Sequence, residues 1–357
     1  MPDAANPAEP PVLSAIEGRV GRLTLNRPAA IHALTEEMCR LMTQALLAWA
    51  GDPDVDAVML DHSGGRGFCA GGDIRMIAES GAGDASDAKR FFRTEYRLNH
   101  LLFVYPKPVV VFMDGIVMGG GVGISDPARI RIATERTTYA MPETGIGLFP
   151  DVGGGWFLPR MPGEAGIWLA LTGARLKAAE CLSLGIATHY VESSKLDALK
   201  AEIIADSEAV FGAPELFATY AGPARVDDNM AMIDRLFAFD TMEEIVEALE
   251  RDGSDWSQKE LATLRTKSPQ AMKVSLRQMR LGAGLTTFED EMVMEYRLGG
   301  RAVRTHDFQE GVRAVIVDKD NAPRWSPPDL AGVSDAMVDA LFAPLPAGEE
   351  WTPLPGL

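Results

Sequence analysis

With 357 residues, 46% of them hydrophobic, the chain has material for one large domain plus a smaller one and for a substantial buried core. Asp and Glu outnumber Lys and Arg by 51 to 34, a net charge of −17 that argues against general binding to nucleic acid or to an anionic membrane surface. Three widely spaced cysteines, Cys39, Cys69 and Cys181, with no C-x-x-C, argue against a disulfide framework and a cysteine-ligated metal, and lead to the expectation of a reducing cytoplasm.

In chain order, residues 1–12 read as a disordered tail. The opening stretch is acidic and proline-rich, without the apolar core of a signal peptide or the arginines of a transit peptide. No apolar run reaches the ~18 residues a membrane span requires. Arg19 to Leu25 alternates apolar and polar residues and predicts a strand. Thr35 then caps a helix through about Ala50, with Met38, Leu41, Met42, Ala45 and Leu46 on its inner face. Ala57 to Leu60 predicts a second strand. Residues 63–77, SGGRGFCAGGDIRMI, read as strand, glycine turn and helix start. There Gly71-Gly72-Asp73 either supplies a backbone donor or surrounds an N-capping aspartate. Lys89 to Val104 predicts a helix, on which Glu95 is a solvated charge unless the helix lines a site.

The most informative stretch is 106–157. Val109-Val110-Val111-Phe112-Met113 is continuous and β-branched, as a strand covered on both faces should be. It turns through Asp114-Gly115 and runs into Gly119, Gly120 and Gly121. Where such glycines open a helix, free N–H groups meet a bound atom with no side chain intervening. Glu143 follows Pro142, and Asp151 lies eight positions further, inside a second glycine cluster. A glycine run alone serves equally well as a turn. Two glycine stretches spaced for one strand–helix–strand unit, with two acids and no basic residue between the acids, mark a site.

From about residue 212 strand signals become scarce and capped helices follow one another. Thr241 to Glu244 forms a capping box, and Ser268-Pro269 opens a helix carrying Met272, Leu276 and Met279. The expected organisation is a core over 13–222, a helical region over 223–330 and a proline-rich tail over 331–357. The recurring strand–glycine–helix unit within residues 19–190 points to a stacked spiral. Five scattered histidines without G-x-S-x-G argue against a Ser-His-Asp triad, and no H-E-x-x-H motif implies a metal.

The stretches LTLNRPAAIHALTEEM, GFCAGGDIRMI, PVVVFMDGIVMGGGVGIS and MPETGIGLFPDVGGGWFLPRMPG resemble the signatures of the crotonase (enoyl-CoA hydratase/isomerase) superfamily. FFRTEYRLNHLL, GLFPDVGGG, MEYRLGGRAV and HDFQEGVRAVIVDKDNAPRW are most similar to its 3-hydroxyacyl-CoA hydrolases, and the likeness covers about residues 13–330. The resemblance implies an α/β fold, a crotonase-like spiral of stacked β-β-α units followed by a helical C-terminal region. It implies an acyl-coenzyme A thioester as substrate, with no further cofactor and no metal, and leaves a homo-oligomer open. It assigns the acyl oxygen to the N–H groups of Gly72 and Gly120, and catalysis or substrate contact to Glu95, Gly120, Glu143 and Asp151. By the same resemblance the loop with Ala30, His32 and Ala33, and the stretch Ala70, Gly71, Gly72 and Asp73, receive adenine and pantetheine through backbone groups.

One departure bears on the reaction. Hydratases of this superfamily carry a glutamate two positions after the glycine triplet and another after the proline; here those positions hold Gly123 and Glu143. A single glutamate weakens the hydratase reading and favours thioester hydrolysis, with Glu143 as nucleophile or general base. Asp151 then binds the substrate hydroxyl or assists the departing thiolate. A 3-hydroxyacyl-CoA hydrolase of valine breakdown is the leading expectation. An enoyl-CoA hydratase or isomerase using Glu143 alone, and a non-catalytic acyl-CoA binder, are the alternatives.

Overall fold

The computed structural model describes residues 9–355, so the expected tail over residues 1–8 lies outside the described residues. The strands in chain order are β1 (Val12–Glu17), β2 (Val20–Leu25), β3 (Ala57–His62), β4 (Gly67–Cys69) and β5 (Val109–Met113). They continue with β6 (Ile116–Met118), β7 (Ile130–Ala133), β8 (Thr138–Ala140) and β9 (His189–Tyr190). The large sheet has the order β1-β2-β3-β5-β7-β9 and the small one β4-β6-β8. Among the strand pairs of the described residues, β1–β2 alone is antiparallel; this hairpin turns at Gly18, whose φ of +60° suits glycine. From β3 to β8 the chain alternates between the sheets, one strand in each per turn, and so winds a spiral. β1 begins at Val12, which is buried, inside the stretch read as a tail.

The continuous apolar strands β3 and β5 are covered on both faces, as their pattern requires. Val58, Leu60, Val109, Val111 and Met113 face the main core. Ala57, Met59, Val110 and Phe112 face a second apolar layer with Leu199 and Ile203. Four helices complete the spiral, α1 (Glu36–Ala50), α2 (Ile74–Gly81), α3 (Ser86–Phe103) and α4 (Gly120–Gly123). The Thr35 hydroxyl caps α1, accepting from Met38 N at 3.3 Å. α3 packs between α1 and the later helix Phe288–Ala302, and it buries Glu95 and Asn99 together with Phe91, Phe92 and Tyr96.

Helices dominate after Ala213, and Thr241 and Ser268 cap theirs as their motifs require. The C-terminal stretch carries more structure than its prolines indicate. Ser334 caps a helix over Asp335–Phe342, and the following residues cross α3. There Arg93 Nη2 donates to Glu349 O at 2.9 Å and Arg97 Nε to Thr352 O at 3.0 Å. Trp351 is buried, and its indole donates to Arg93 O at 3.3 Å.

Candidate active site

The small sheet brings the site residues together. Its three strands run parallel, with Cys69 beside Val117 and Met118 beside Ala140, so their carboxyl ends lie side by side. β4 leads into Ala70, Gly71 and Gly72, β6 into Gly119 and Gly120, and β8 into Pro142 and Glu143. Ligand sites of parallel α/β sheets form at such ends. These residues, with Glu95 from α3 and Asp151 from the second glycine cluster, line one cavity of about 450 Å³.

The two glycine loops abut. Gly71 has a φ of +116° and Gly119 of +49°, so side chains are disfavoured there on backbone grounds alone. A Cβ on Gly120 would stand 2.6 Å from Glu95 Oε1 and 3.3 Å from the Gly71 carbonyl carbon. Among the described residues, neither the Gly72 N–H nor the Gly120 N–H enters a hydrogen bond outside the helices and strands. Two uncommitted main-chain donors therefore belong to the cavity lining, where a side chain on Gly120 would collide with Glu95.

Three carboxylates line the same cavity, and all three are buried. Among the described residues Glu95 Oε1 and Glu143 Oε2 have no hydrogen-bond partner, whereas Asp151 Oδ2 accepts from the Tyr96 hydroxyl at 3.0 Å. Burial raises the Glu143 carboxyl well above the usual range, and the neighbouring Asp151 charge raises it further. Burial and Asp151 act on Glu95 in the same direction. Asp151 is pushed by burial up to about 6, with the Tyr96 hydroxyl holding it back. Three such groups cannot all ionise together cheaply, so the cavity shares few negative charges among them. Lys267 and Arg175 line the same cavity. Lys267 has no ion-pair or hydrogen-bond acceptor for its ammonium among the described residues, and its charge favours the ionised form of Glu143.

Gly123 lies behind the cavity. A Cβ there would meet Val152 Cβ at 2.5 Å and Asn99 Nδ2 at 2.8 Å, and Asn99 donates to Gly123 O at 2.9 Å. Val152, next to Asp151, has a φ of +54°, a costly conformation for a β-branched residue.

The sequence-predicted residues Glu95, Gly72, Gly120, Glu143 and Asp151 thus converge, as do Ala70 and Gly71. Glu95 is a buried wall residue and not a solvated charge, because the Phe91, Phe92 and Glu95 face of α3 turns inward. Ala30, His32, Ala33 and Asp73 stand outside the cavity wall, although their loop is stitched to it by Leu34 N to Gly71 O at 2.7 Å and Ala70 N to Ile31 O at 3.0 Å. The His32 ring is fully buried. Its Nδ1 accepts from Arg27 N at 3.0 Å, which leaves Nε2 to donate to Gly64 O at 2.8 Å. The ring is therefore occupied in fixing the loop, and a ligand can meet this residue only through its main chain. Asp73 is the N-cap of α2, accepting from Met76 N at 3.5 Å. Sequence reasoning missed Tyr96, Asn99, Lys267 and Arg175; of these, only Tyr96 had a signal, being adjacent to Glu95. Among the described residues there is no group of three or more His, Cys, Asp or Glu that could hold a metal ion.

Comparison with known proteins places these features in context. A family profile described as enoyl-CoA hydratase/isomerase matches residues 20–342. A relative from Danio rerio, named 3-hydroxyisobutyryl-CoA hydrolase, mitochondrial, is 45% identical over 92% of this chain and 88% of its own. The Homo sapiens protein of the same name is 42% identical over 94% of this chain and 89% of its own. A solved structure titled as a carnitinyl-CoA dehydratase from Mycobacterium thermoresistibile superposes with a TM-score of 0.91 at 42% identity, covering 96% of this chain and 98% of its own. One titled as an enoyl-CoA hydratase from Rhodobacter sphaeroides gives 0.89 at 40%, covering 96% and 99%. The cytoplasmic expectation is corrected by these relatives, which are mitochondrial proteins. Unpaired cysteines indicate a reducing milieu but do not say which one, so composition could not separate the two compartments.

Proposed function

The chain belongs to the enoyl-CoA hydratase/isomerase family, and on that footing we propose that it hydrolyses 3-hydroxyisobutyryl-CoA to 3-hydroxyisobutyrate and coenzyme A. The observation that carries this reading is the pairing of Glu143 and Asp151 in a cavity whose other glutamate position, at residue 123, is a glycine sealed by Val152 and Asn99. The thioester oxygen sits between the Gly72 and Gly120 N–H groups, where charge developing on oxygen meets two fixed donors; loss of one such donor costs about 2.7–4 kcal/mol. Ionised Glu143 starts the reaction. It either attacks the carbonyl carbon to give an anhydride that water opens, or takes a proton from an attacking water. Both routes break the C–S bond and leave the thiolate to collect a proton. Asp151, oriented by Tyr96, receives the 3-hydroxyl of the acyl group. The cavity volume of about 450 Å³ suits a short branched acyl chain and its pantetheine arm.

The two superposed structures, a carnitinyl-CoA dehydratase and an enoyl-CoA hydratase by name, raise water addition to an enoyl-CoA as a second reading. That chemistry uses a second glutamate at position 123, and the space there is filled. The deciding experiment measures free thiol from 3-hydroxyisobutyryl-CoA beside the absorbance of crotonyl-CoA. Fast thiol release with no hydration of crotonyl-CoA supports hydrolysis; hydration without thiol release would reverse the assignment.

A further inference from the structure

Behind Asp151, away from the cavity, lies a second group of buried acids that the mechanism does not use. Glu291 and Glu295 stand one turn apart on the helix Phe288–Ala302, with 0% exposure each, and Gln278 reaches them from the helix Pro269–Gly282. Charged groups at such depth are rare unless something holds them there. What Glu295 holds is main chain: its Oε2 accepts from Gly153 N at 2.8 Å and its Oε1 from Gly155 N at 3.3 Å. Gln278 Nε2 donates to Pro150 O at 2.8 Å and to Glu295 Oε1 at 3.2 Å. The residues gripped, 150 on one side and 153 and 155 on the other, bracket Asp151.

The bracketed turn does not hold its own shape readily. Val152 at a φ of +54° is followed by Gly153 at +96°, two consecutive residues in the left-handed half of conformational space. A relaxed Val152 would return to negative φ and carry the Asp151 carboxyl with it. The fit around the grip is close. A Cβ on Gly155 would overlap Glu291 Oε1, and one on Gly282 would overlap the Gly155 carbonyl.

We infer that Glu295, with Gln278, is a positioning residue for the hydrolysis: it clamps the strained Asp151–Val152–Gly153 turn so that Asp151 meets the substrate hydroxyl. Glu291 is the second carboxylate of the group: Gln278 Nε2 also donates to its Oε1 at 3.4 Å, while Glu291 makes no contact with the Gly153 and Gly155 N–H groups. Burial pushes Glu291 up to about 7 and raises Glu295 well above the usual glutamate range, with Glu291 and Asp151 acting on Glu295 in the same direction and Arg160 opposing the rise at Glu291. The clamp rests on the function proposed above, but it is a claim about geometry that can be read without turnover.

The experiment compares wild type with Glu295→Gln and Glu291→Gln. A glutamine at 295 keeps the volume but can offer an oxygen to only one of the two N–H groups. Amide hydrogen exchange at Gly153 and Gly155 should quicken by at least tenfold in Glu295→Gln and stay within threefold in Glu291→Gln. In turnover, kcat for the hydroxylated thioester should fall at least tenfold in Glu295→Gln, with KM changed less than threefold. The loss should be smaller for a short acyl-CoA lacking the 3-hydroxyl. Unchanged exchange at Gly153 and Gly155 in Glu295→Gln would overturn the clamp, and so would an equal loss of kcat for both thioesters. If wild type releases no thiol, the hydrolase reading fails by itself, and the exchange data still decide whether the clamp exists. Should Glu295→Gln not fold, Gln278→Leu, which removes the grip on Pro150, is read by the same two measurements.

Discussion

A Cβ added to Gly123 would stand 2.5 Å from the Cβ of Val152, so the two residues occupy one space that cannot also hold a carboxylate. The strained turn that aims Asp151 and the missing second glutamate are thus two sides of a single packing arrangement.

Gly123→Glu should therefore fail to create a hydratase. Overpacking of this kind costs about 1–3 kcal/mol and displaces Val152. Thermal denaturation should show a lower Tm, thiol release should fall with the disturbance of Asp151, and crotonyl-CoA absorbance should stay flat. A stable variant that hydrates crotonyl-CoA would show that the space is open.

Glu143→Gln removes the charge while keeping size. Turnover should fall by ~10²–10⁴-fold, the range for losing a positioned acid–base group. Binding of coenzyme A should change little, because the oxyanion donors are main-chain groups of other residues. Steady-state thiol release and product titration make the comparison; near-normal turnover would remove Glu143 from the chemistry.

Lys267→Met tests what keeps Glu143 ionised. The ammonium lowers a carboxyl that burial and Asp151 raise, so its loss should raise Glu143 further. The acid limb of the pH profile for kcat/KM should move to higher pH, and Lys267→Arg should restore it. An unmoved limb would show that Lys267 does not act on Glu143.

Tyr96→Phe removes the hydroxyl that donates to Asp151 Oδ2 at 3.0 Å. A hydrogen bond to a charged group is worth about 1.5–3 kcal/mol, and here it favours ionised Asp151. Asp151, already at about 6, should titrate higher, so activity that depends on its charge should need more alkaline conditions. The change is read from pH–rate curves of the variant and wild type with the hydroxylated substrate.

Glu95→Gln should stabilise the protein at alkaline pH. The Glu95 carboxyl is raised by burial and by Asp151, so folding favours its protonated form. That contribution is present below the usual glutamate value of 4.5 and is lost as pH rises through the higher folded value. A neutral side chain avoids the loss, so Tm should rise relative to wild type at pH ~8 and converge with it at pH ~4. Equal Tm differences at both pH values would show that Glu95 does not titrate in this way.

The parts of the site that could be read from the sequence are those built locally. Gly119-Gly120, Glu143 and Asp151 sit in one continuous stretch, where strand, turn and glycine signals fix the register. Glu95 was ambiguous because a helix displays no site until its neighbours are known, and its inward face became clear only with the helix Phe288–Ala302 packed alongside. Glu295 and Gln278 could not be placed, since they meet the Asp151 turn from 142 and 128 residues away along the chain. Helical spacing placed Met272, Leu276 and Met279 on one helix but gave no reason for acids among the buried positions. The helix Asp335–Phe342 was overlooked because flanking prolines outweighed its Ser334 cap.

The three short parallel strands β4, β6 and β8 each lead to one residue of the cavity wall: Gly72, Gly120 and Glu143. Because these residues are joined through the sheet and not through one another, a residue at the tip of one strand can be exchanged while the other two keep their positions. On the reading proposed above, such a scaffold would allow the residue after one strand to change while the glycines after the other two kept their place around a thioester oxygen.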